Sequence, residues 1–359
     1  MEREVVEILE KTEKGLDFGI KSLNLGLNGI SRETIYTIGA SPKAGKTSFV
    51  DFSFLLVPYL KNYLGENKKI KWIYFSYEIS RVRKMMKLAP FFFKYDFHKD
   101  TFFHKGVEYP INSNYLSNKM IDPDEELITI KEEDRKIFEE IYETRLVPLF
   151  GEKVNGKYVR KGCVTVFEKA TNPTGIRNTL MDYAEYTGTF ETSTYKSQGE
   201  TKSYITGYRP NDPELHTIVI IDHIRKVKSE RGFDNKQIID KLYEYEVELR
   251  NFAKFTFVNI AHLNRNLSSI DRMRFNKERL HPTGDDFKGS GNPIEESDVV
   301  MTMMNPLDER YMLKKHYGHD LSEYPNYRSL HIIDSRDTEP FDVFLNANFN
   351  NNIFTEIKD

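Results

Sequence analysis

The run Gly39-Ala40-Ser41-Pro42-Lys43-Ala44-Gly45-Lys46-Thr47 constrains the fold of this chain more than any other segment. It follows an apolar stretch, ETIYTIG at residues 33–39, which reads as a buried strand. It precedes residues 46–64, which read as a helix. A strand that turns sharply into a helix aims backbone N–H groups and the positive helix end at one point, which suits a phosphate. Gly45 lets the backbone approach the anion, Lys46 reaches the β and γ oxygens, and Thr47 offers a hydroxyl to Mg²⁺. Ala40, Ser41, Pro42, Lys43 and Ala44 form the body of the loop, and Ser48 continues the helix start. The strict pattern wants glycine where Ala40 stands. A surface turn rich in Gly and Lys is the bland alternative, and the flanking strand and helix argue against it. These residues imply binding and hydrolysis of a nucleoside triphosphate, with ATP and Mg²⁺ as expected ligands.

Further apolar runs at residues 70–76 (IKWIYFS), 163–167, 217–221 (TIVII) and 255–261 read as strands. Residues 79–93, 132–145, 175–186 and 238–253 read as helices between them. Such alternation predicts parallel βαβ units. The unbroken apolar character of TIVII predicts a central strand covered on both faces. Residues 298–304, 329–334 and 341–346 close the sheet. The expected class is α/β: a mostly parallel central sheet flanked by helices, with antiparallel strands at its C-terminal edge. Residues 94–160 read as an elaborated insertion, and the polar residues 187–213 as a mobile loop.

Composition narrows the setting. A net charge of −3 over 359 residues means that any basic surface must be local. The single cysteine, Cys163, excludes an intrachain disulfide and a cysteine-based zinc site. The opening MEREVVEILEKTEKG lacks the apolar core of a signal peptide, and no stretch approaches a transmembrane span. A cytoplasmic protein without a membrane partner is expected.

Two acidic residues complete the candidate site. Asp222 ends the strand TIVIID, where a carboxylate can support Mg²⁺ through water; capping a turn is its structural alternative. Glu78 follows IKWIYFSY and can polarise an attacking water, or simply begin the next helix. Asn259, His262 and Asn264 follow or end the strand at 255–261, where a polar side chain can sense the γ-phosphate. Taken alone, His262 reads better as a structural histidine.

In this order, the segments resemble the RecA-like motor domain of DnaB-type replicative helicases, particularly the short phage-type forms. FGIKSLNLGLNGISRETIYTIGASPKAGKTSF (18–49) is similar to the family's approach to its phosphate loop, in which Ala or Gly fills the Ala40 position and Pro the Pro42 position. FSYEIS (75–80) resembles F-S-L-E-M, which implies that Glu78 is the catalytic base. IVIIDHI (218–224) resembles the second acidic motif and NIAHLNRNL (259–267) the S-Q-L-N-R segment. DDFKGSGNPIEESDVVMTM (285–303) is similar to D-L-R-E-S-G-x-I-E-Q-D-A-D-V-V, and residues 331–354 resemble the closing K-x-R-x-G-P-x-G hairpin. The resemblance implies a RecA-like P-loop NTPase fold, with residues 1–17 as an N-terminal extension and 18–359 as the motor. This short extension leaves no room for the family's collar domain.

Two departures bear on chemistry. The sensor glutamine is His262 here, and the hairpin lysine is Asp334 while its arginine is kept as Arg336. The resemblance implies that Arg336 acts in trans on a neighbouring subunit's nucleotide. It also implies a hexameric ring, single-stranded DNA as ligand, and a primase or helicase loader as partner. Arg225 and Lys228 after the second acid, and Arg265, Arg272 and Arg274 after the sensor strand, are the expected DNA contacts. Lys288, Gly289 and Gly291 match the loop that grips the single-strand backbone. A solvated basic face is the alternative for this group. Two other functions stay open: a RecA/KaiC-like ATPase that does not unwind, and a loader or structural protein on the same fold.

Overall fold

A computed structural model describes residues 14–197, 200–264, 272, 277–287, 292–311 and 313–358. Its centre is a nine-stranded sheet. The strands, in chain order, are β1 (Ile35–Ala40), β2 (Ile70–Ser76), β3 (Val164–Phe167), β4 (His216–Asp222) and β5 (Thr256–His262). They continue as β6 (Val299–Met304), β7 (Tyr327–Ser335), β8 (Phe341–Asn348) and β9 (Ile353–Glu356). The spatial order is β9-β8-β7-β6-β1-β5-β4-β2-β3. Strands β6, β1, β5, β4, β2 and β3 run parallel, and β7, β8 and β9 add to the edge antiparallel.

Period-two alternation explains why the parallel strands are apolar throughout. Tyr36, Ile38, Trp72, Tyr74, Ile218 and Ile220 pack on one face of the sheet. Ile35, Ile73, Phe75, Val219 and Ile221 pack on the other. The first face is covered by the helical segments Lys46–Val50, Asp51–Leu56 and Tyr59–Gly65 and by the helix Arg81–Phe97. The second is covered by the helices Pro173–Thr187 and Asn235–Ala253. Helix starts follow the local chemistry. The Ser80 hydroxyl accepts from the Arg83 N–H at 3.3 Å, and Asp234 with Gln237 forms a reciprocal capping box.

Two sequence expectations are corrected. Within residues 187–213, expected as a mobile loop, Gly188–Ser197 and Glu200–Pro210 are two long paired antiparallel strands. The segment is rich in polar residues, so composition signals a loop, but its Thr and Tyr residues favour extended backbone. The insertion is also more ordered than its irregular sequence suggests. It holds short hairpins, among them Thr101–His104 with Val107–Pro110, and the helix Glu132–Ile141. Its Phe102, Ile111, Tyr115, Leu149 and Phe150 belong to the same core as the sheet. Strand β9 was not expected from the sequence. Residues 1–13 of the expected N-terminal extension lie outside the described residues. No helix among the described residues is long and apolar enough to cross a membrane.

Phe102 is buried and stacks on Tyr115 at 3.8 Å. Phe102→Ala should therefore cost about 3–5 kcal/mol. Thermal unfolding should remain a single transition at lower temperature. An early, separate transition would mean that the insertion folds independently of the sheet.

Candidate nucleotide site

Parallel register brings the candidate residues to one edge of the sheet. Ala40, the last residue of β1, pairs with His262, the last of β5. Asp222, the last of β4, pairs with Ile260 on one side and Ser76 on the other. The Tyr77 N–H donates to the Asp222 carbonyl at 3.1 Å, which carries the chain onward and sets Glu78 beside His223. The carboxyl edge of an open α/β sheet is where such folds place ligands.

The phosphate loop has the backbone that its residues require. Gly45 caps the helix at φ 102°, a left-handed conformation, and a Cβ there would lie 2.5 Å from the Phe349 ring. Arg328 on β7 is buried and donates from Nε to the Ala44 carbonyl at 2.7 Å. Its guanidinium also lies 4.8 Å over the Phe349 ring. Burial lowers its pKa to about 10, so it stays charged. Arg328 thus ties the antiparallel edge to the loop, a role nothing in the sequence announced.

Lys46 is buried, and burial lowers its pKa while Asp222 and Glu78 oppose the shift. The Thr47 hydroxyl donates to Asp222 Oδ1 at 3.2 Å. Burial raises the Asp222 pKa, with Lys84 pulling it back. Lys84, fully buried, donates to Asp51 at 2.9 and 3.2 Å and to the Tyr74 hydroxyl at 2.6 Å. It lies 3.9 Å from Asp222 Oδ2. One ammonium therefore faces two carboxylates beneath the loop. The Thr47 hydroxyl and Asp222 carboxylate offer adjoining oxygens, which suits a magnesium ion bound partly through water.

A cavity of about 1130 Å³ opens over Thr47, Asp222 and Glu78. Asn112, Asn114 and Lys119 of the insertion form a further wall, and the Asn112 amide reaches Asn350 Oδ1 at 3.5 Å. The insertion, whose irregular sequence suggested no role, thus borders the cleft.

Other predicted residues are placed as follows. Arg225 and Lys228 are exposed just past the carboxyl end of β4. Arg272 is occupied by the Asp286 carboxylate at 2.6 and 2.8 Å and by the His281 carbonyl. Arg265, Arg274, Lys288, Gly289 and Gly291 lie outside the described residues. Arg336 is exposed, with Nε 3.2 Å from Asp298 Oδ1. Asp298 also accepts from the N–H of Ile35, the first residue of β1. Arg336 is therefore at the opposite end of the sheet from the phosphate loop, roughly 20 Å away along a six-residue strand.

Asn259 and Asn264 are corrected as sensors. Asn259 is fully buried mid-strand and donates to Glu246 Oε2 at 2.6 Å. Asn264 donates from its backbone and side chain to the carbonyls of Asp286 and Asp285. Asn259 lies three residues before the edge that His262 reaches, and a strand's period of two turns it to the opposite face.

In sequence, no protein-family model and no curated protein matches this chain. The fold matches that of solved RecA-like helicase domains. A structure of a DnaB-like replicative helicase, solved with its interactions with primase, superposes with a TM-score of 0.65 at 15% identity. That match covers 99% of this chain and 67% of the helicase. The isolated ATPase domain of another helicase superposes with a TM-score of 0.64 at 14% identity, covering 99% of this chain and 96% of that domain.

Two measurements follow from the site's buried charges. Lys84→Met leaves Asp51 and Asp222 without their cation and should cost about 3–5 kcal/mol by chemical denaturation; a loss under about 1 kcal/mol would discount the network. Burial raises the Glu246 pKa to about 8, above its ordinary value. The stability tied to its protonated form is therefore full below pH 4.5 and fades as pH rises towards 8. Melting curves of Glu246→Gln should gain on the wild type between about pH 5 and 8, and parallel curves would refute a neutral Glu246.

Proposed function

We propose that this protein is an ATP-dependent, ring-forming DNA helicase that moves along single-stranded DNA and unwinds duplex. The observation that carries the hydrolytic part is the convergence of Lys46, Thr47, Asp222 and Glu78 at one strand edge over a large cleft. Lys46 neutralises the β and γ oxygens, and the loop backbone from Ala40 to Ser48 cradles them. Thr47 and Asp222 would hold a magnesium ion, which supplies further neutralisation of the charge developing in the transition state. Glu78 accepts a proton from the attacking water. His223 Nδ1 accepts the Arg225 N–H at 3.3 Å, so Nε2 carries the proton and donates to Glu78 Oε1 at 3.2 Å. That bond orients the carboxylate and must loosen as Glu78 turns towards water. His262, edge-on to His223, carries the phosphate state to the segment that follows β5.

The position of Arg336 supports assembly. It cannot reach the phosphates of its own chain from the far end of the sheet, so it works on a neighbouring copy, as in a hexamer. Arg225, Lys228, Arg265, Arg274, Lys288, Gly289 and Gly291 line the path of single-stranded DNA in this reading, while Arg272, held by Asp286, drops out of the expected contacts. Backbone contacts of this kind give little sequence preference. By analogy with the DnaB-like helicase described with its interactions with primase, a primase would dock on the assembled ring, and a helicase loader is the other expected partner.

Hydrolysis measured with and without single-stranded DNA tests the proposal. Lys46→Ala should abolish turnover, and normal turnover would discard the site. Wild-type hydrolysis should rise with single-stranded DNA, and forked duplex should be unwound. An ATPase indifferent to DNA would instead favour the non-unwinding RecA/KaiC-like function. Arg336→Ala should lower turnover by about 10³-fold, and mixing it with Lys46→Ala should restore part of the activity if Arg336 acts in trans.

A further inference from the structure

Glu78, His223 and His262 come from three separate segments: the turn after β2, the residue after β4 and the last residue of β5. Their ligating atoms nevertheless all lie within 4.8 Å of one another. Glu78 Oε1 is 3.2 Å from His223 Nε2. The two imidazoles meet edge to face at 4.3 Å. His262 Nδ1 is buried and has no hydrogen-bond partner. A buried nitrogen left without a partner is disfavoured, so a ligand that takes its lone pair is favoured there.

Two imidazoles and a carboxylate are the donor set of borderline divalent ions; the ion replaces the His223 Nε2 proton, which moves to Nδ1 and ends the bond from the Arg225 N–H. Donors around a tetrahedral zinc ion stand about 3.4 Å apart. One pair already has about that spacing, Glu78 Oε1 and His223 Nε2 at 3.2 Å, and the Glu78 side chain, 41% exposed, has room to adjust to an ion. Magnesium prefers an octahedral shell of oxygens and finds its better partners at Thr47 and Asp222. Lys46, Arg225 and Lys226 oppose a second cation here, while the Glu78 carboxylate attracts one and Asp222 draws on Lys46.

We infer that Glu78, His223 and His262 form a second cation site, which takes a zinc-class divalent ion in preference to magnesium. Filling it withdraws the Glu78 carboxylate from water and stops hydrolysis. The inhibition rests on the proposed role of Glu78; the binding does not.

Cobalt(II) titrated into nucleotide-free, magnesium-free protein, read by visible absorption, tests the binding. The wild type should take up one equivalent with the bands of a four- or five-coordinate ion. His262→Gln and Glu78→Gln should each weaken binding by about tenfold or more, with circular dichroism confirming that both are folded. Absent bands at saturating cobalt, or undiminished binding by both variants, would overturn the site. Added zinc should inhibit wild-type hydrolysis of Mg-ATP over the range in which it displaces cobalt. Displacement without inhibition would overturn the regulatory half. A wild type with no ATPase at all would defeat the hydrolytic proposal and leave the cobalt titration to decide the metal site.

Discussion

The buried ammonium of Lys84 sets the terms for the rest of the site. An unpaired charge at that depth is not sustainable, so the helix Arg81–Phe97, the segment Asp51–Leu56 and strand β4 must meet where Asp51, Tyr74 and Asp222 can surround it. Asp222 is thereby held with one oxygen towards Lys84 and the other towards Thr47. The phosphate loop and the second acid are thus not independent features. They are two ends of one charge network, and Arg328 grips the loop from the antiparallel edge of the sheet.

The parallel sheet supplies the second constraint. Because β1, β2, β4 and β5 all point the same way, each ends its apolar run at the same edge, and the polar residues at those ends fall into one cleft. The same geometry sends Arg336 to the far edge. In the proposed function, the candidate hydrolytic groups at one end and the exposed Arg336 at the other would let copies stack head to tail, each completing its neighbour's site. The insertion adds a wall that the phosphate loop alone does not provide. Its residues Asn112, Asn114 and Lys119 line the same cavity as Glu78.

Much of this was legible in the chain. The apolar runs located the parallel strands to within a residue or two, since strands buried on both faces leave an unmistakable pattern. The strand, turn and helix around Ala40–Ser48, the proposed phosphate loop, were legible because the residues that shape them stand in contiguous order. Asp222 was legible because it ends a strand. Polar segments were read less well. The hairpin spanning Gly188–Ser197 and Glu200–Pro210 resembles a loop in composition, because a strand pair without a continuous buried face carries no hydrophobic alternation. Asn259 looked like a sensor because it stands close in sequence to His262; the pleat turns it into the core against Glu246.

The fold class, and the placement of the candidate loop and of Asp222 at strand ends, follow from contiguous residues whose spacing reports local geometry. The tertiary structure alone decided that Lys84 and Asp51 underlie Asp222, that Arg328 secures the loop, that Arg272 is already held by Asp286, and that Glu78, His223 and His262 converge. These partners are 14 to 284 residues apart along the chain. No local pattern encodes such pairings. They follow from strand order, and strand order is fixed only when both faces of the sheet are buried.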